Sequence, residues 1–69
     1  MAQYVICRDI RGKRHFLSYR QKTRDVFWLV EDALDSWPSV KVIVYKEEET
    51  AKDRAARFAI NAYVLPVNI

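Results

Sequence analysis

The sequence predicts an α+β fold: a small, mainly antiparallel sheet with helices packed on it. Three observations carry this. Two β-branched and aromatic runs, QYVICRD and KRHFLSYR, flank the turn-like DIRG. An alanine-rich stretch over 48–61 repeats its apolar residues at helical spacing. Two further strand-like runs, VKVIVYK and YVLPVNI, bracket that stretch. With 69 residues there is room for one core, so 1–69 is read as a single domain. The expected order is ββαβαβ: a β-hairpin (3–20), a helix over 25–37, a strand over 40–46, a helix over 48–61 and a strand over 63–69.

The hairpin follows from residue type and turn chemistry. Asp9 suits the first position of a type I turn and Gly12 the fourth, where a left-handed glycine makes a G1 bulge. That register sets Asp9 opposite Lys13, Cys7 opposite His15 and Val5 opposite Leu17. Tyr4, Ile6 and Phe16 then share the other face.

The segment 25–37 reads two ways. Val26, Leu29, Val30, Ala33, Leu34 and Trp37 recur at helical spacing. Thr23 or Asp25 could cap such a helix and Pro38 would stop it. Trp37 would lie on its buried stripe and Trp28 on its polar side. The alternative is a strand over 26–30 followed by a helical turn at 31–37, because VFWLV is strand-compatible throughout. Helix is the reading adopted.

The run 40–46 is β-branched and reads as a strand covered on both faces. In the next segment Ala51, Ala55, Phe58, Ala59 and Ala62 form an apolar stripe. Glu47, Glu48 and Glu49 stand at its start, where negative charge suits the helix dipole. Arg54 and Arg57 fall on its wet side, and Asn61 is the expected C-cap. Pro66 has no N–H to give a ladder, so the closing strand is expected at a sheet edge, or with its position 66 facing outward.

Composition narrows the class. Cys7 is the only cysteine, so no internal disulfide can form, and a reducing, cytoplasmic setting is expected. The start MAQYVICRD lacks the pattern of a signal peptide. The longest apolar run, Val26–Val30, is far short of the roughly 20 residues that span a bilayer. No membrane contact is expected. Charge is strongly segregated. Residues 1–24 carry seven bases and one acid, for +6. Residues 25–50 carry two bases and seven acids, for −5, and residues 51–69 return to +2. Such a layout suits an oriented electrostatic contact or self-association.

No set of residues reads as catalytic. Cys7 and His15 could meet across the hairpin, but two ligands do not make a zinc site and no second histidine exists. Glu31, Asp32 and Asp35, with Glu47, Glu48 and Glu49, read as a solvated face and a helix start. Gly12 stands alone, so there is no glycine-rich phosphate loop. No enzyme activity, cofactor or metal is expected. The residues expected to touch a partner are Arg8, Arg11, Lys13, Arg14, Arg20, Lys22, Arg24 and Trp28. Basic residues interleaved with His15, Phe16 and Tyr19 also suit phosphate contact with base stacking, so a nucleic-acid-binding module over 8–24 is the alternative. A homodimer paired through the first or the closing strand is a third option.

Taken together, Tyr4, Val5 and Ile6, Gly12 with Lys13, Phe16 with Leu17, Tyr45, Ala51, Ala55 and the run 62–67 resemble small phage-encoded accessory and anti-defence proteins of the anti-CRISPR kind. The likeness covers the two ends of the chain. The middle, 20–39, departs from the pattern, whose shorter link carries one Trp, here matched by Trp28 or Trp37. The resemblance implies a non-enzymatic inhibitor in the cytoplasm of an infected host cell. It would bind a host protein or ribonucleoprotein complex: a CRISPR effector, another defence complex or RNA polymerase. If it imitated DNA, only the acidic middle segment could do so.

Overall fold

The computed structural model describes residues 2–33, 36 and 39–68. Six strands and one helix follow in the order β1 (Ala2–Ile10), β2 (Lys13–Arg20), β3 (Val26–Val30), a 3-10 turn (Glu31–Ala33), β4 (Val40–Val42), β5 (Val44–Tyr45), α1 (Glu48–Phe58) and β6 (Tyr63–Asn68). All pairings are antiparallel. The class is α+β, as expected, but the order is not ββαβαβ.

The expected helix over 25–37 is a strand at its start. β3 pairs with β2 from Tyr19↔Val26 to His15↔Val30. Five consecutive β-branched, aromatic or leucine residues fit a pleated surface, and the open edge of β2 supplies the ladder that overrides the helical period. The fold thus follows the alternative over 26–30, and a 3-10 turn follows at Glu31–Ala33. Leu34, Asp35, Trp37 and Pro38 lie outside the described residues, so the expected core position of Trp37 and the stop at Pro38 fall there too.

The hairpin forms, with its register one residue from expectation. Cys7 pairs with Phe16, Arg8 with His15, Asp9 with Arg14 and Ile10 with Lys13. The turn is therefore the two residues Arg11 and Gly12, at φ 54° and 78°. Positive φ at both positions is the type I′ geometry, whose twist matches that of the flanking strands. One consequence is that Phe16 lies on the face of Val5 and Cys7, not with Tyr4 and Ile6. Arginine is a poor choice for a left-handed position. Arg11→Asn should raise stability by about 0.5–1 kcal/mol, read as a higher midpoint in urea at unchanged slope.

The open end of the hairpin splays, and the chain over 40–45 wedges into it. β4 pairs with β2 (Ser18↔Val42, Arg20↔Val40) and β5 with β1 (Tyr4↔Tyr45, Val5↔Val44). Between them the Ile43 amide donates to the Leu17 carbonyl at 3.0 Å. The expected single strand over 40–46 is thus bent in two, and Val44 is 42% exposed, not covered. β3 and β4 lie on opposite sides of β2, both pairing at Ser18 and Tyr19.

β6 runs along the far side of β1, from Ala2↔Asn68 to Cys7↔Tyr63. It is a sheet edge, as Pro66 suggested. β1 has β6 on one side over Ala2–Cys7 and β5 and β2 on the other, which leaves Arg8–Ile10 as its one stretch without a strand on the β6 side among the described residues.

α1 packs on β1, β5 and β6. Ala51 and Ala55 are buried, and their small side chains let the helix lie close over Ile6. Ion pairs Glu48–Lys52 (2.9 Å) and Asp53–Arg57 (3.4 Å) bridge successive turns of the wet face. The helix stops at Phe58, three residues before the expected end, because Ala59 turns extended (φ −162°) and caps it in place of Asn61. Phe58 therefore ends up 46% exposed instead of completing the stripe, while Ala62 reaches the core from the loop.

The core joins Ile6, Leu17 and Ala55, with Trp28, Ile43, Tyr45, Ala62 and Val64 packed around them. All lie on the helix side of the sheet or above it. The opposite face also buries Val5, Cys7, Ser18 and Leu29. Ser18 is satisfied there, its hydroxyl donating to the Phe16 carbonyl at 3.1 Å.

Candidate protein-binding surface

Strand alternation sorts the expected contact residues onto two faces. Arg8 and Lys13 fall on the helix side, Arg14 and Arg20 on the other, with Arg11 at the turn. Lys22 and Arg24 belong to the loop closing β2 to β3, held by Arg20 N–H to Asp25 O (3.0 Å) and Arg24 N–H to Arg20 O (2.7 Å). Arg14 and Arg20 are six residues apart on one strand, so roughly 20 Å separates the tip cluster from the loop cluster. The basic stretch is two patches, not one stripe.

The structure does bring Arg8 to Trp28. The guanidinium carbon stands 5.9 Å from the ring centroid, at the outer range of a cation–π contact. His15, the cross-strand partner of Arg8, lies beside them. The Arg8 Nε is shielded from solvent and has no hydrogen-bond partner among the described residues. Trp28 is half-buried and packs against the core. On the other face Arg20 stacks over Phe27 at 5.5 Å. An arginine on an aromatic thus flanks each face of β3. A cleft of about 570 Å³ runs past Phe27, Leu29, Arg20 and Ala33.

Tyr63 joins the tip, a role nothing in the sequence signalled. Its hydroxyl donates to Asp9 Oδ1 (2.9 Å) and accepts from Arg14 Nε (3.2 Å). Only the pairing of β6 beside β1 brings residues so distant in sequence together. Burial first, and the Asp9 carboxylate after it, hold the Tyr63 phenol above its ordinary pKa, against the lowering effect of Arg14. Lys13 reaches Asp32 at 3.9 Å, both well exposed, which contributes little.

Cys7 and His15 do not meet. Their strands pair them with different residues, and they point to opposite faces. Cys7 is fully buried, and desolvation pushes its thiol up to about 11, with Asp9 and Glu31 adding to the rise and Arg14 opposing it. In the unfolded chain the thiol ionises near 9.0, so above that pH the unfolded state loses its proton first. Stability should fall from about pH 9 to 11. Relative to Cys7→Ala, which cannot titrate, the wild type should lose on the order of 2 kcal/mol across that window, measured by urea unfolding at each pH. Glu31, Asp32, Glu47, Glu48 and Glu49 are all exposed. No group of three or more His, Cys, Asp or Glu lies close enough to hold a metal among the described residues. None of the described helices is long and apolar enough to cross a membrane.

No family model, no curated protein and no solved structure matches the chain.

Proposed function

We propose that the protein is a non-enzymatic binding protein that docks on a host protein or ribonucleoprotein complex and blocks it, in the manner of a phage-encoded inhibitor. The observation that supports this best is the Arg8–Trp28 pair beside the basic turn. Trp and Arg are the residue types that most often anchor interfaces, and a half-buried Trp loses little entropy on binding. Arg11 and Lys13 at the tip supply steering charge. The nucleic-acid reading is less well supported, because duplex or single-strand binding wants a continuous basic track and the seven bases divide between two ends and two faces.

The test is capture from host lysate on immobilised protein, with and without nuclease, followed by mass spectrometry. A stoichiometric protein partner that survives nuclease, and is lost with the Arg11→Glu/Lys13→Glu variant, is the expected result. Recovery of no such partner would overturn this reading, and oligonucleotide affinity well tighter than about 10⁻⁴ M with a steep salt slope would put the nucleic-acid one in its place.

A further inference from the structure

The sheet has two edges, and they are treated differently. β6 carries Pro66, which cannot donate to a neighbouring strand. β3 is the other edge, and its sequence VFWLV has no proline and no charge. Val26 on it is 47% exposed. Among the described residues β3 pairs with β2 alone, so its outer backbone has no strand beside it. Proteins ordinarily blunt such an edge with charge, proline or a bulge.

The charges at its ends indicate what covers it. Residues 20–25 at the start of β3 carry three bases and one acid, and residues 31–33 at its end carry two acids and no base. A strand with a basic start and an acidic end complements an antiparallel copy of itself. We propose that two copies of the chain pair antiparallel through β3 about a two-fold axis. Pairing that uses all five residues of both strands centres on Trp28. Val26 then faces Val30, and Phe27 faces Leu29, of the second copy. Arg24 comes opposite Asp32 of the second copy at both ends, because an isologous interface repeats every contact. Asp25 comes opposite Glu31 of the second copy, a like-charged pair. The Asp25 carboxylate is turned into its own loop, accepting the Thr23 hydroxyl at 3.0 Å. The axis stands normal to the sheet, so both Arg8–Trp28 pairs lie on one surface, the two tryptophans side by side at its centre.

Sedimentation velocity on the full chain tests this without any partner. A dimer that grows with concentration up to about 500 µM and weakens with salt is expected. Val26→Lys should give a monomer with an unchanged circular dichroism spectrum and melting point, since an edge lysine repels pairing at an exposed position. Arg24→Glu or Asp32→Lys alone should weaken the dimer roughly 3- to 10-fold, each contact counting twice. The two together should recover most of that loss. A wild-type monomer throughout the range, a dimer that survives Val26→Lys, or a double variant no better than the singles would each overturn the pairing.

Discussion

Ile6→Ala should remove most of this protein's stability. Ile6 is fully buried at the centre of the helix-side core, between Leu17 on the neighbouring strand and Ala55 on α1. Deleting three carbons there leaves a cavity that neither strand nor helix can close, because β1 is held on both sides by ladders. Such truncations cost about 2–5 kcal/mol. A chain of this length has a total margin of only about 3–10 kcal/mol. The melting point should therefore fall by roughly 10–30 °C, and the variant should unfold well before wild type in urea. Phe58→Ala is the informative comparison. From the helical period Phe58 belongs to the buried stripe and its loss should be severe. In the structure α1 ends there and the ring is 46% exposed, so the cost should stay near 0.5 kcal/mol. Equal losses from the two substitutions would mean that α1 runs on toward Asn61 and buries Phe58.

The same contrast shows where the sequence is informative. The hairpin, the Ala51–Ala55 helix face and the edge position of the Pro66 strand follow from local chemistry, and local chemistry is on the page of the sequence. The register was not readable, because Gly12 suits both a G1 bulge and a type I′ turn. The difference lies at Arg11, whose positive φ no propensity would choose. The strand over 26–30 was ambiguous for a physical reason as well. Val26, Leu29 and Val30 satisfy a helical period, and only the free edge of β2 decides against it. The candidate surface inherits that ambiguity. Its basic members are visible as a list, but Arg8 meets Trp28 only if VFWLV lies beside β2. Tyr63 meets Asp9 and Arg14 only if β6 lies beside β1. Those are tertiary facts, set by which strand completes which ladder.

Charge reversal at the turn, Arg11→Glu with Lys13→Glu, should abolish partner capture while leaving the fold intact. Both side chains are exposed, and the one ion pair lost, Lys13 with Asp32 at 3.9 Å, is open to solvent. Exposed pairs of this kind contribute little, so the melting point should move by no more than a few degrees. Binding should weaken by more than about 10-fold, through slower association if the tip steers the encounter and through faster release if it is buried on docking. Gly12→Val separates charge from geometry. Gly12 has φ 78°, and a Cβ there would meet nothing within 4 Å, so the substitution clashes with no neighbour and acts through the backbone alone. A β-branched residue at positive φ costs about 1–3 kcal/mol, which should lower stability and loosen the turn with every charge retained. The expected pattern is therefore two different failures. The reversal variant is folded and does not bind, whereas Gly12→Val binds in proportion to the fraction still folded. Should the reversal variant capture its partner as tightly as wild type at both low and moderate salt, the tip is only a solvated turn. The contact would then have to rest on Arg8 and Trp28 without it.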